Sequence, residues 1–400
     1  MTITVPETYT YLDWAATTPL CEEAAQAMAP FLAPGLANVG LGMNANSLHA
    51  PGRAAFEQLE LARRSVARSI GASRPNEVVF TSGATESCNA AVLGIAHAKA
   101  RELRKRLGAD AVPRVITTEL EHGAVAQPAA RLVAEGFDVV FLKPDRKGFV
   151  HADDLEAALD ERTVLVSVQM ANSEVGSIQP IEDMVKAAHG RGVPFHTDAT
   201  QAVGKIPFDA KALGVDAASF SAHKVCGPKG VGALYLKART PFEPLLLGGG
   251  QEEGRRSTTQ NVCGAVGFAA ALEAAVAAGQ PEADRQMALR DGLYRRLAEM
   301  DGVSMTVPTL DDPRAYLPNV MHVLVKGYES ETLVLRLDAM GFGVSGGSAC
   351  SSHSLEPSRV LKAMGVPADD AYGAMRISIG RLTQGADLDR FAEAFKSCIS

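Results

Sequence analysis

The sequence predicts an α/β lobe built on a mostly parallel sheet with helices on both faces, followed by a smaller α+β lobe. Three observations carry this reading. Short β-rich runs alternate with helical patterns through the middle of the chain, as in sheets joined by helical crossovers. The pattern changes after Gly248-Gly249-Gly250. At 400 residues the chain is long for a single core, so two lobes are expected, with residues 18–262 in the larger and 1–17 plus 263–400 in the smaller.

In order, strands are expected at Glu77–Phe80, Arg114–Thr117, Asp138–Leu142, Thr163–Val168, Val193–Thr197, Ala217–Phe220 and Gly232–Leu236, a seven-stranded sheet. Helices are expected between them, including Thr85–Ala98, Gly123–Ala134 and Ile181–Arg191. The second lobe begins with a long helical pair, about Val266–Ala278 and Glu282–Met300. Strands near Val320–Val325 and Arg376–Ile379 follow, with helices at Ser330–Met340 and Leu388–Cys398. Ligands of such sheets bind outside the carboxyl ends of the strands, and here those loops carry the polar residues.

Composition narrows the function. Hydrophobic residues make up 46% and charged residues 21%, the balance of a soluble enzyme. The net charge is −7, and no basic stripe interleaved with aromatics appears, so nucleic acid is not an expected partner. The run Ala265–Gly279 is interrupted by Glu273 and falls short of the roughly 20 residues of a bilayer span. It reads as a buried alanine-rich helix, and no membrane partner is expected. The polar N-terminus has no leader-like apolar segment. The cysteines at 21, 88, 226, 263, 350 and 398 are too widely spaced for a CxxC metal or redox motif, so no metal site is expected and a reducing cytoplasm fits.

Lys224, in Ser221-Ala222-His223-Lys224, follows an apolar-to-small run. Desolvation at a strand end favours the free amine, which condenses with carbonyls. Thr81-Ser82-Gly83-Ala84-Thr85-Glu86-Ser87 follows one strand and opens a helix, a setting for an anion at a helix N-terminus. Asp198 closes another strand run. A buried carboxylate there needs a partner, and a protonated pyridine nitrogen would serve, with Gln201 in reach of a ring hydroxyl. His122 follows the Arg114 strand and could stack on an aromatic face or shuttle protons. Ser221 and His223 offer further phosphate donors. Cys350 sits among glycines and serines with His353 nearby, an unusual setting for a packed cysteine and a suitable one for a nucleophile. Arg376 lies within a strand-like run and would suit a bidentate carboxylate.

Together these motifs resemble the cysteine desulfurases of the class V aminotransferase family, in the branch feeding iron–sulfur cluster assembly. The resemblance spans nearly the whole chain. It begins at Tyr11-Leu12-Asp13-Trp14-Ala15-Ala16-Thr17-Thr18-Pro19, includes Thr197-Asp198-Ala199-Thr200-Gln201, Ser348–Ser352 and Leu355-Glu356-Pro357-Ser358, and ends at Arg376-Ile377-Ser378-Ile379-Gly380-Arg381.

The resemblance implies the type I fold of pyridoxal 5′-phosphate (PLP)-dependent transferases, working as a homodimer. Lys224 would hold the cofactor covalently and move the Cα proton of L-cysteine. Asp198 would pair the ring nitrogen, His122 would stack on the ring, and Gln201 would face the ring oxygen together with Ser173, or with Asn172 or a water in its place. Ala84, Thr85, Ser221 and His223 would hold the phosphate, with Thr259 reaching across from the partner subunit. Arg376 would bind the substrate carboxylate, with Asn44 and Ser47 on the substrate side. Cys350 would take the sulfur as a persulfide and pass it to an acceptor or scaffold protein, leaving L-alanine. The chain departs from the family pattern at Ser173, Ala45, Thr258 and Cys88. Two other readings make different predictions. A selenocysteine lyase or related C–S lyase would not need Cys350, and a non-catalytic sulfur-handling scaffold would bind the cofactor weakly.

Overall fold

The computed structural model describes residues 8–346 and 358–400. The chain enters through β1 (Thr10–Tyr11) and the helices α1 (Glu22–Met28) and α2 (Ala50–Ser69). It then builds a central sheet from β2 (Val78–Thr81), β3 (Arg114–Thr118), β4 (Asp138–Leu142), β5 (Thr163–Ser167), β6 (Phe195–Asp198), β7 (Ala217–Ser221) and β8 (Gly232–Leu236). The spatial order is β2-β8-β7-β6-β5-β3-β4. Neighbours from β7 to β4 are parallel, whereas β8 is antiparallel to both β7 and β2. Two reversals return β2 to the direction of β7. The carboxyl ends of β2, β3, β5, β6 and β7 therefore open on one edge.

Helices α3 (Ala84–Leu107), α4 (Gly123–Ala134), α5 (Ala152–Ala158), α6 (Ile181–Gly190) and α7 (Ala210–Leu213) connect these strands. Every residue of β5, β6 and β7 is buried, which is why they read as unbroken runs. The polar His196 within β6 is satisfied sideways, by Ser167 at 2.8 Å and Ser219 at 2.9 Å on the flanking strands. Helix α3 carries Glu86 in its first turn and Arg104, Lys105 and Arg106 in its last, so its charges oppose its dipole.

The remainder comprises α8 (Val262–Ala298), β9 (Val303–Met305), β10 (Val320–Val325), α9 (Ser330–Ala339), β11 (Phe342–Gly343), α10 (Arg359–Ala363), α11 (Ala368–Ala371), β12 (Ala374–Ser378) and α12 (Gly385–Cys398). β12, β10 and β9 form an antiparallel sheet, and β1 pairs in parallel with β11. The expected helical pair is one element broken at Gly279, where φ is 50° and ψ −145°, two residues before Pro281. By length and composition α8 passes for a membrane-crossing helix. Its residues also pack into both cores of the protein. Phe268 and Leu272 sit in the core under the central sheet, and Leu293, Tyr294 and Leu297 join a second core with Leu12, Phe391 and Phe395.

Candidate active site

The site grows from the turn that ends β7. Ala222–Lys224 form a single 3-10 turn after Ser221, which sends Lys224 toward the N-terminal segment. Its Nζ donates to the carbonyls of Ala15 at 2.6 Å and Ala16 at 2.7 Å. In the same turn His223 Nδ1 meets Thr17 Oγ1 at 3.1 Å. Burial, with Lys224 adding to it, pulls the His223 imidazole down to about 4, so this ring is neutral near pH 7.

At the end of β2 the chain turns into α3 through Gly83, whose φ of 154° suits glycine. Backbone packs on backbone here. A Cβ on Gly232 would lie 2.7 Å from Gly83 Cα and 2.4 Å from the Phe220 carbonyl, so that position has no room for a side chain. The opening turn of α3, with Ala84 and Thr85, presents N–H groups that lack helical acceptors. Glu86 in that turn is committed elsewhere: it accepts from Ser82 N at 2.7 Å and from Arg256 at 2.7 and 3.0 Å. Burial works against its carboxylate form, but those partners win and hold its pKa low.

Asp198 ends β6, is 8% exposed and accepts from Thr200 N at 3.0 Å. Cys88 is fully buried beside it. Burial first, and Asp198 next, push that thiol well up, which makes Cys88 a packing residue rather than a nucleophile. His122 caps α4, and its Nδ1 accepts from Ala124 N at 3.1 Å, which leaves the neutral ring's hydrogen on Nε2. Burial keeps its pKa low against the opposing pull of Asp198. Beneath it, Glu121 Oε1 accepts from Gln169 N at 2.8 Å and Thr118 Oγ1 at 3.1 Å, and burial raises its carboxyl to about 8.

Arg376, on β12, is 2% exposed. Its Nη2 pairs with Asp13 at 2.8 Å and its Nη1 donates to the Ser173 carbonyl at 3.0 Å. Nε is buried with no hydrogen-bond partner among the described residues. Asn172 is turned away, its oxygen accepting from Glu174 N and Val175 N at 2.8 and 2.9 Å. Ser173 therefore occupies the wall.

These residues enclose a cleft of about 480 Å³. Ala84, Thr85, Ser221 and His223 line one end, Lys224, Asp198 and Gln201 another wall, and His122, Ser173 and Arg376 the rest. The exposed residues Thr259 and Asn44 lie off this cleft, near one another through an Asn46–Gln260 hydrogen bond of 2.8 Å. Cys350 and His353 lie outside the described residues. The sequence alone assigns no role to Asp13 or to the Ala15 and Ala16 carbonyls. The small pair following Asp13-Trp14 was the only hint of a close backbone approach.

The donor set tests the cofactor expected for such a site. A helix N-terminus flanked by hydroxyls suits a phosphate, a strand-end carboxylate suits a ring N–H, a neutral imidazole suits a ring face, and an amine suits an aldehyde. PLP fits all four.

Comparison with known proteins points the same way. The family model Aminotransferase class-V matches residues 10–391. The chain is 42% identical to Cysteine desulfurase IscS of Dictyoglomus turgidum, across 95% of this chain and 91% of that one. A solved NifS-like protein is 37% identical and superposes with a TM-score of 0.86, covering 97% and 98% of the two chains. The structure described as SspA in complex with cysteine is 31% identical, with a TM-score of 0.76 over 92% of this chain and 98% of that one.

Proposed function

The chain belongs to the class-V aminotransferase family and is a PLP-dependent cysteine desulfurase, and from that premise we propose how its own residues divide the work. When bound, PLP supplies an electron sink for charge at the substrate's Cα. Lys224 holds the cofactor covalently and then moves the Cα proton. Its hydrogen bonds to Ala15 and Ala16 aim it at one place. Asp198 holds the proton of the ring nitrogen, and His122 covers the ring face as a neutral imidazole. Ala84 and Thr85 with Ser221 and His223 hold the phosphate, while Ser173 and Gln201 face the ring oxygen.

Arg376 binds the carboxylate of L-cysteine. The guanidinium is held in place by Asp13 and the Ser173 carbonyl, and its buried Nε still lacks an acceptor among the described residues. The Cys350 thiolate attacks the substrate's Sγ. A Cys350–sulfur bond forms, the Cβ–sulfur bond breaks, and the carbon skeleton takes up protons to leave as L-alanine. The persulfide then passes to an acceptor or scaffold protein, as in iron–sulfur cluster assembly. A cytoplasmic homodimer is the proposed state, with Thr259 and Asn44 completing the neighbouring subunit's site.

The observation that carries this reading is the convergence of Lys224, Asp198, His122 and Arg376 on one cleft. The test is borohydride reduction of the purified yellow protein followed by peptide mass analysis. The cofactor is expected on Lys224, and Lys224→Ala is expected to lose both that adduct and alanine formation. Attachment to another lysine would refute the assignment.

A further inference from the structure

We infer that Lys205 is a positioning residue of this site, pinning the Gln201 amide so that an N–H, rather than a carbonyl oxygen, faces the cofactor's ring oxygen. The inference rests on the proposed placement of Gln201 beside that oxygen. Lys205 Nζ donates to Gln201 Oε1 at 3.0 Å and to the Gln201 backbone carbonyl at 3.2 Å. In its ammonium form Lys205 only donates, so the side-chain atom facing it is the amide oxygen. On the other side, Gln201 Nε2 donates to the Ala15 carbonyl at 2.9 Å, a group that only accepts. The two contacts fix the same orientation independently. One amide hydrogen is spent on Ala15, and the second is left for the cleft that Gln201 lines. A donor there favours an ionised ring oxygen.

The same relay couples two lysines. The Ala15 carbonyl that takes Gln201 also takes Lys224 Nζ at 2.6 Å. Both lysines line a second cavity of about 60 Å³ behind Lys224. The charged or titratable groups facing Lys205 there are Lys224 and Cys226 from the β7–β8 segment, Glu282 from α8 and Arg381 from beyond β12. Burial, with the like charge of Lys224 adding to it, draws the Lys205 ammonium down to about 7. A cation at Lys205 in turn disfavours a cation at Lys224.

The test is a pH titration of the visible absorbance of the bound cofactor in full-length wild type, Lys205→Met and Lys205→Arg, each checked by borohydride for attachment at Lys224. Removing Lys205 takes away a nearby cation and frees the amide to turn. Both changes favour the protonated, yellow form. The midpoint in Lys205→Met is expected to rise by about one pH unit, and Lys205→Arg is expected to return it toward wild type. Lys205→Gln, neutral and similar in length, serves should Lys205→Met not fold, with a rise again expected. A midpoint unchanged in either neutral variant, with the cofactor on Lys224, would overturn the inference. A wild type lacking cofactor on Lys224 would overturn the underlying assignment, and this one with it.

Discussion

Arg376 shows at the scale of one residue how the site is preorganised. Its fork is held on one side by Asp13 and on the other by the Ser173 carbonyl, so rotamer freedom is lost before substrate arrives. Arg376→Ala is expected to raise KM for L-cysteine about 10- to 100-fold, the range of a charge-assisted hydrogen bond. Arg376→Lys should recover little of it, because one ammonium cannot hold both partners; steady-state kinetics checks both variants. Glu121 makes a pH prediction. Its carboxyl stays protonated to about 8 in the fold but ionises near 4.5 when free of it. The folded state therefore binds the extra proton between those values. That contribution to stability is complete below the lower value and is lost as pH rises through the upper one. Melting curves from about pH 5 to 9 should fall more steeply with pH for wild type than for Glu121→Gln; parallel curves would contradict this. At this scale the sequence showed the side chains with distinctive chemistry. It could not show that Lys224 rests on the carbonyls of Ala15 and Ala16, since backbone acceptors leave no mark in composition. Nor could it pair Arg376 with Asp13, 363 residues away.

Among the elements, β5 and β7 were legible because sheet strands buried on both faces must be apolar or small along their length. Gly123–Ala134, Val320–Val325 and Asp138–Leu142 coincide with α4, β10 and β4. Helix α2 was not singled out. Its charged outer face obscures the stripe of Ala55, Leu59, Ala62 and Val66 that packs inward. Within α2, Arg63 is fixed by tertiary structure: it forks onto Glu252 at 2.6 and 2.9 Å and reaches the Val78 carbonyl at 2.7 Å. Glu252 also accepts from Phe80 N at 3.0 Å, so the pair ties α2 and β2 to the 252 turn. Both side chains are nearly inaccessible, at 8% and 2%. Glu252→Ala would leave the buried guanidinium with only the partly exposed Glu60, at 2.8 Å, to offset its charge and is expected to cost about 3 kcal/mol by denaturant unfolding. A loss below about 1 kcal/mol would place the pair among ordinary surface bridges.

For the whole molecule, we propose the division into residues 18–262 and 1–17 plus 263–400, with the first half of α8 serving as a strut along the larger lobe. Leu48 and Leu247 are 91% and 82% exposed, and both lie on the segments that carry Asn44 and Thr259. That placement supports a homodimer built there. Sedimentation is expected to give twice the chain mass, and Leu247→Asp is expected to shift it toward one chain with loss of bound cofactor. The motifs of the cleft were readable because each chemical role demands a particular side chain, while the lobe packing that brings Arg376 against Ser173 was not.

Lys224 and Cys350 are proposed to take sulfur from cysteine together. The most direct test is alanine release from L-cysteine, with a reductant, by wild type and Cys350→Ala. Alanine is expected from the wild type alone, with a persulfide trapped on Cys350. Equal turnover by both would contradict it and make the protein a lyase that does not use that cysteine.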